Sequence, residues 1–286
     1  MNPFAGKVAV VTGAGSGIGA ALADELSRRG ARLALSDVNE TAVRGVAAEL
    51  AGRGTPVHVS ALDVADRDAV ERYAAEVAAD YGVVHQLYNN AGIAGIADTV
   101  LDTSYAEFER IINVNLWGVI HGTKAFLPHL IDSGDGHLVN VSSLNGYMAQ
   151  PGLSSYCTTK FAVRGFTESV RCDLMAAGHP VGVTVVHPGG VKTNIVTAAF
   201  DEVQRAGTAG QRDREVLERY NDTLLTMPPA RAARIILDGV AAKKPRVLVG
   251  NDARAVDILV RLLPGSYPKL VNRFFGKVLP AALTPR

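Results

Sequence analysis

Cysteine is nearly absent from this chain, at two of 286 residues. Two thiols cannot build a disulfide framework or a Cys-rich zinc site, so a reducing, cytoplasmic setting is expected. Aromatic residues are sparse at 6%, with a single tryptophan. No apolar run approaches the roughly 20 residues that a membrane-crossing helix needs. Charge of one sign is also lacking: 29 basic and 28 acidic side chains leave +1 at pH 7, which offers no field to gather nucleic acid. The seven histidines show no metal-ligand spacing, and no metal is expected. The opening residues MNPFAG lack the basic start of a secretory signal. What the chain does have is apolar bulk, 48% of its residues, which suits a full core and excludes wholesale disorder.

Short β-branched runs alternate with longer amphipathic stretches. Residues 7–12 (KVAVVT) form a continuous apolar run of the kind buried on both faces of a sheet. Residues 18–29 read as a helix, with Ile18, Leu22 and Leu26 at four-residue spacing and Gly30 as the stop. The same alternation predicts strands at 32–37, 56–63, 85–90, 136–143, 182–187 and 246–250. Helices are expected at 41–50, 66–81, 154–177 and 229–242, and one long helix at 104–131. Strands separated by helices pair in parallel through right-handed crossovers. The expected architecture is α/β: a doubly wound, seven-stranded parallel sheet flanked by helices. Residues 1–250 read as one catalytic domain. Within it, 192–227 interrupts the rhythm after the sixth strand, with Gly207 and Gly210, as a substrate lid would. Residues 251–286 continue beyond the last strand as an extension of the same globule.

The first strand ends in Thr12-Gly13-Ala14-Gly15-Ser16-Gly17-Ile18-Gly19. A pyrophosphate needs backbone N–H groups close by, which residues lacking Cβ permit. Gly13 and Gly17 allow that approach, Gly19 lets helix and strand pack closely, and the helix N-terminus adds positive dipole. A glycine pattern alone is weak; between a buried strand and a helix it points to a dinucleotide. Asp37 ends the second strand, 18 residues after Gly19. A carboxylate there accepts both ribose hydroxyls and repels a 2′-phosphate. With no Arg or Lys at Ser16 or Val38, NAD is preferred over NADP.

Tyr156 and Lys160 lie four apart in a helical stretch, on one face. An ammonium beside a phenol favours phenolate, and such a tyrosine can take an alcohol proton while hydride leaves for a cofactor. Such pairs also arise by chance. Here Ser143 ends the fifth strand 13 residues earlier, the turn Asn89-Asn90-Ala91-Gly92 ends the fourth, and Asn115 sits in an apolar helix.

In these residues, and in Pro188-Gly189, the chain resembles the short-chain dehydrogenases/reductases in their compact branch, over about residues 7–250. The resemblance implies a Rossmann-type enzyme acting on an alcohol or carbonyl, and a homodimer or homotetramer. It implies Tyr156 as acid/base, Ser143 on the substrate oxygen, and Lys160 lowering the tyrosine pKa and holding the nicotinamide ribose. Asn115 would anchor a water. Asp63 and Val64 would flank the adenine, with Ile18, Asn90, Gly92, Pro188, Val191 and Thr193 along the cofactor cleft.

Leu144, Asn145, Tyr147, Met148 and Gln150 are expected to line one substrate wall, with Gly189 and Gly190 opposite. That mix suits a moderately large apolar molecule with a polar handle. Cys157 and Cys172 read as packing, His187 as a wall of the cofactor cleft, and Trp117 as buried at a helix contact. Two rival readings remain: a catalytically silent nucleotide sensor or scaffold, and a membrane-surface dehydrogenase acting on a lipophilic substrate. The second rests on residues 251–286, which carry six basic and two acidic side chains. Between them lie Ile258, Leu259, Leu262, Leu263, Leu270, Phe274, Phe275 and Leu279, in helical stretches broken by Pro264 and Pro268. Packing of this tail on the enzyme is favoured over a peripheral membrane contact.

Overall fold

A computed structural model describes residues 2–95, 99–205 and 211–278; Gly207, Gly210, Leu279 and Arg286 lie outside the described residues. Strand β1 (Val8–Thr12) is buried along its whole length, as a β-branched run covered on both faces should be. Helix α1 (Gly17–Arg28) follows, and Gly30 at φ 83° releases the chain into β2 (Arg32–Asp37). Then come α2 (Glu40–Ala51), β3 (Val57–Ala61), α3 (Arg67–Tyr81) and β4 (Gln86–Asn89). Asn39 and Asp66 start their helices by accepting from the amides of Ala42 and Ala69, which satisfies donors that no helical carbonyl can reach. The second half holds α4 (Tyr105–Ile112), α5 (Gly118–Asp132), β5 (Gly136–Val141), α6 (Ser154–Ala176) and β6 (Val181–Pro188). It continues through α7 (Ile195–Arg205), α8 (Gln211–Thr223), α9 (Pro229–Ala241), β7 (Arg246–Val249), α10 (Asn251–Leu262) and α11 (Tyr267–Val278).

The sheet is parallel throughout in the order β3-β2-β1-β4-β5-β6-β7. Successive residues of β1 point to opposite faces, so Ala9 and Val11 join one core with Leu22 and Leu26 of α1 and Ile236 and Leu237 of α9. Val10 joins the other, with Val77 of α3, Phe126 of α5 and Val170 of α6. Strand order reverses between β1 and β4, and at such a point the connections leave on opposite faces and open a crevice at the carboxyl ends.

Four local expectations need correction. The stretch expected as one helix is divided by a π turn at Asn113–Trp117, a widened turn with no distinct residue pattern to announce it. Trp117 is 47% exposed and stacks on His121 instead of being buried. Cys172 is exposed on α6, whereas Cys157 is buried as read. Pro268 does not break a helix; it sits in the first turn of α11, where its missing N–H has no helical partner to lose. The lid segment holds two helices, α7 and α8, tied down where Val191 bridges Met227. Among the described residues, no helix is long and apolar enough to cross a membrane.

Candidate active site

The crevice between β1 and β4 opens into a cavity of about 940 Å³. At its near end the glycine turn is shaped by close backbone approach. Gly13 (φ 65°) carries a backbone that L side chains rarely adopt, and a Cβ there would stand 2.7 Å from Cα of Ala91. A Cβ on Gly17 (φ 56°) would meet Thr193 Cγ2 at 3.1 Å, and one on Gly19 would strike the Gly13 carbonyl. Thr12 ties this turn to the next: its hydroxyl accepts from the amides of Asn90 and Ala91 (3.1 Å each), and the Asn90 carboxamide donates to the carbonyls of Thr12 (3.0 Å) and Gly13 (3.2 Å). Ser16 precedes α1 without capping it, giving its hydroxyl instead to Asn194 Oδ1 at 3.1 Å. Gly13, Ser16, Gly17 and Ile18 line the cavity, so the leading end of α1 faces it. This cradle, which side chains would fill, fits a dinucleotide pyrophosphate.

Asp37 also lines the cavity, beside Asp63 and Val64. Its carboxylate accepts from the amides of Gly15 and Asn39, both at 2.9 Å. On the opposite rim stand Pro188, Gly189, Val191 and Thr193. The expected cofactor residues are thus brought to one cleft, except Gly19, which lies beneath it as the contact between helix and strand.

Tyr156, Ser143 and Lys160 meet in the middle of the cavity. Burial pushes the Tyr156 phenol well above its ordinary value, and a hydrogen bond with Ser143 pulls the other way. Lys160 Nζ sits 5.5 Å from the centre of the Tyr156 ring and donates to the Val141 carbonyl at 3.1 Å. Burial brings the lysine itself down to about 8. Ser143 thus pulls toward phenolate, and Lys160 stands one helical turn away beside the same ring. Asn115, in the π turn, is fully buried and clamps Ile93, accepting from its N–H and donating to its carbonyl, both at 2.8 Å. It also donates to Thr159 Oγ1 at 3.2 Å. The missing side chain of Gly92 is what permits this crowding: a Cβ there would lie 3.2 Å from Asn115 Oδ1 and 3.4 Å from Lys160 Nζ.

Asn145 is on the cavity wall with Leu144, Met148 and Gln150, as expected; Tyr147 is not. Its side chain turns back under the wall, packs edge-on against His187 at 5.0 Å, and its hydroxyl donates to the Ala253 carbonyl at 2.6 Å. His187 is likewise behind the site. It is fully buried, and Nδ1 meets the Ser143 carbonyl at 2.7 Å, which requires the proton on Nδ1. Burial brings it down to about 4, so it is neutral.

Several lining residues were not found from the sequence. Tyr220 and Phe200 come from the lid, and Asp252, Val271 and Phe275 from the last two helices. Asp252 accepts from the Gly190 amide at 2.6 Å, joining α10 to the loop after β6. The amphipathic pattern of the tail announced an apolar face but not what that face would touch.

Comparison with known proteins matches these features to a family. The model described as short chain dehydrogenase matches residues 7–204. A chain named oxidoreductase SadH from Mycobacterium tuberculosis is 48% identical over 283 residues, covering 99% of this chain and 100% of that one. C alpha-dehydrogenase from Sphingobium sp. is 35% identical over 243 residues, covering 84% and 79%. A short chain dehydrogenase/reductase from Burkholderia phymatum, solved in complex with NAD, superposes with a TM-score of 0.83 at 29% identity, covering 95% of this chain and 97% of that one. With nearly its whole length matched in sequence and the strand order and glycine cradle in place, the chain belongs to the short-chain dehydrogenase/reductase family of oxidoreductases.

Proposed function

We propose that this chain is an NAD-dependent dehydrogenase/reductase acting on a secondary alcohol or ketone, with Tyr156 as proton acid and base. The observation that carries the reading is the meeting of Ser143, Tyr156 and Lys160 in one cleft, with Lys160 buried one helical turn from the phenol and its Nζ 5.5 Å from the ring centre. The cofactor, when bound, supplies the nicotinamide carbon that gives or takes the hydride. The turn Gly13–Gly19 would hold its pyrophosphate, Asp37 its adenosine ribose, and Asp63 with Val64 its adenine. Asn90, Gly92, Pro188, Gly189, Val191 and Thr193 would hold the nicotinamide half. The NAD complex of the Burkholderia relative supports this assignment. Free Cys157 and Cys172 suit a cytoplasmic setting.

In reduction, Ser143 holds the substrate oxygen and Tyr156 gives that oxygen its proton as negative charge develops. In oxidation the same phenol oxygen takes the alcohol proton. Lys160 holds positive charge near the phenol ring, and Asn115 holds the Ile93 segment against it. Because burial keeps Tyr156 in its phenol form, it is set as an acid at neutral pH, which favours reduction there; oxidation gains as pH rises and phenolate becomes available. General acid–base assistance contributes about 10²–10⁴-fold. Tyr156→Phe is therefore expected to lower turnover at least a hundredfold, while fluorescence titration shows NADH affinity nearly unchanged. Turnover within threefold of the parent would overturn the mechanism.

A further inference from the structure

The cavity does not end at Tyr156. It runs on between the lid and the C-terminal helices, where its wall is Phe200, Leu217, Leu224, Leu259, Val271 and Phe275. At the reacting end Asn145 donates to Gln150 at 3.1 Å, and α7 and α8 add Arg205 and Tyr220 to the lining as their polar members. The tail is rich in cations, yet Arg254, Arg261, Lys269, Arg273 and Lys277 are all missing from this wall. Among the described residues of the tail, the only charged group on the cavity lining is Asp252, which is occupied by the Gly190 amide. Sorting apolar residues inward and charges outward is what a ligand-facing amphipathic helix does. Leu270 and Phe274 line the cavity while remaining 46% and 49% exposed, so among the described residues they form an uncovered apolar mouth.

We propose that α8, α10 and α11 form a binding limb for a long apolar substituent, so that the substrate is a lipophilic secondary alcohol or ketone whose reacting carbon sits at Tyr156 and whose tail lies against Leu259, Val271, Phe274 and Phe275. This rests on the redox reading above and adds the substrate class. An apolar molecule seated there would cover Leu270 and Phe274 and take its own tail out of water. The C-terminal extension is then part of the substrate site and not only packing for the sheet edge.

A series of 2-alkanols from 2-butanol to 2-dodecanol, oxidised with NAD, reads the limb directly. Burial of one methylene is worth about fourfold, so kcat/KM should climb two- to fourfold per carbon over several carbons before levelling off. Phe274→Ser should cost at least tenfold with 2-dodecanol, with the loss shrinking as the chain shortens. Ile258→Ser, on the outer face of α10 and 58% exposed, should leave the slope as it is. Calorimetric titration of the NAD-loaded protein with 2-dodecanone and 2-butanone gives a readout without turnover, since NAD has no hydride to give a ketone, and should show the longer ketone binding at least a hundredfold tighter. Oxidation that is flat or falling with chain length, or an unchanged slope in the Phe274 variant, overturns the limb and leaves the redox reading standing. Tight 2-dodecanone binding without turnover of any alcohol overturns the redox reading and leaves the limb; equal binding of both ketones overturns the limb.

Discussion

Asp37 works in two directions at the end of β2. Its carboxylate accepts the Gly15 and Asn39 amides and so fixes the glycine turn, and it also faces the cavity where an adenosine ribose would lie. A charged acceptor bonded to ribose hydroxyls contributes about 1.5–3 kcal/mol, and the same charge repels a 2′-phosphate. The parent is expected to prefer NAD, and Asp37→Ser to narrow its NAD-to-NADP ratio of kcat/KM by at least tenfold, chiefly through weaker NAD binding. Equal efficiency with the two cofactors in the parent would sink this assignment. At this same scale the sequence was most open to reading. Tyr156, Lys160, Ser143 and Asp37 announced themselves by residue type and by position at strand ends or at helical spacing. Tyr147 misled because its neighbours Asn145 and Met148 do face the cavity, and only packing decides which way a side chain leaves a short turn.

Helix α10 depends on contacts from elements far from it in sequence. Arg246 of β7 donates to both oxygens of Asp257, at 3.1 and 2.6 Å, and its guanidinium lies 5.1 Å from the Tyr147 ring whose hydroxyl holds Ala253. Burial raises the Asp257 carboxyl, but Arg246 and Arg261 more than offset it and hold it below the usual carboxylate range. Both partners are mostly buried, at 19% and 13% exposure, so loss of one leaves the other poorly solvated. Asp257→Asn is expected to cost about 2 kcal/mol of stability and to speed amide exchange in α10, with Asp257→Glu recovering part of both. Exchange in α10 equal to the parent's would show that the helix is held without this pair. The π turn belongs to this scale too. The periodicity of 104–131 reads as unbroken helix because a widened turn shifts register by one residue and leaves no composition signal, yet that turn is what carries Asn115 to Ile93.

The whole molecule carries an acid sensitivity that follows from burial. Burial depresses His137 to about 4, and likewise His187, the latter opposed in part by its bond to the Ser143 carbonyl. Unfolded histidine binds its proton near 6.5, so below that pH the unfolded chain takes up protons that the folded one refuses. Stability is therefore full above about pH 6.5 and is lost as pH falls toward 4, by roughly 2 kcal/mol per histidine at pH 4.5. Urea unfolding at pH 7 and pH 4.5 should differ by several kcal/mol, and His137→Gln should reduce the difference. A midpoint independent of pH across that range would contradict the neutral, buried state of these rings.

What the sequence determined by itself is the alternation of buried strands and amphipathic helices, and with it a parallel, doubly wound sheet whose carboxyl ends carry the reactive residues. Those signals are local: a period of two or 3.6, a glycine where a backbone must come close, a tyrosine and lysine one turn apart. Only the tertiary structure decided that the lid and α11 close over the same cavity, and that Tyr147 and His187 stand behind its wall. Those outcomes depend on which apolar faces pack against each other across more than a hundred residues, and an amphipathic pattern specifies that a face will be covered without specifying by what.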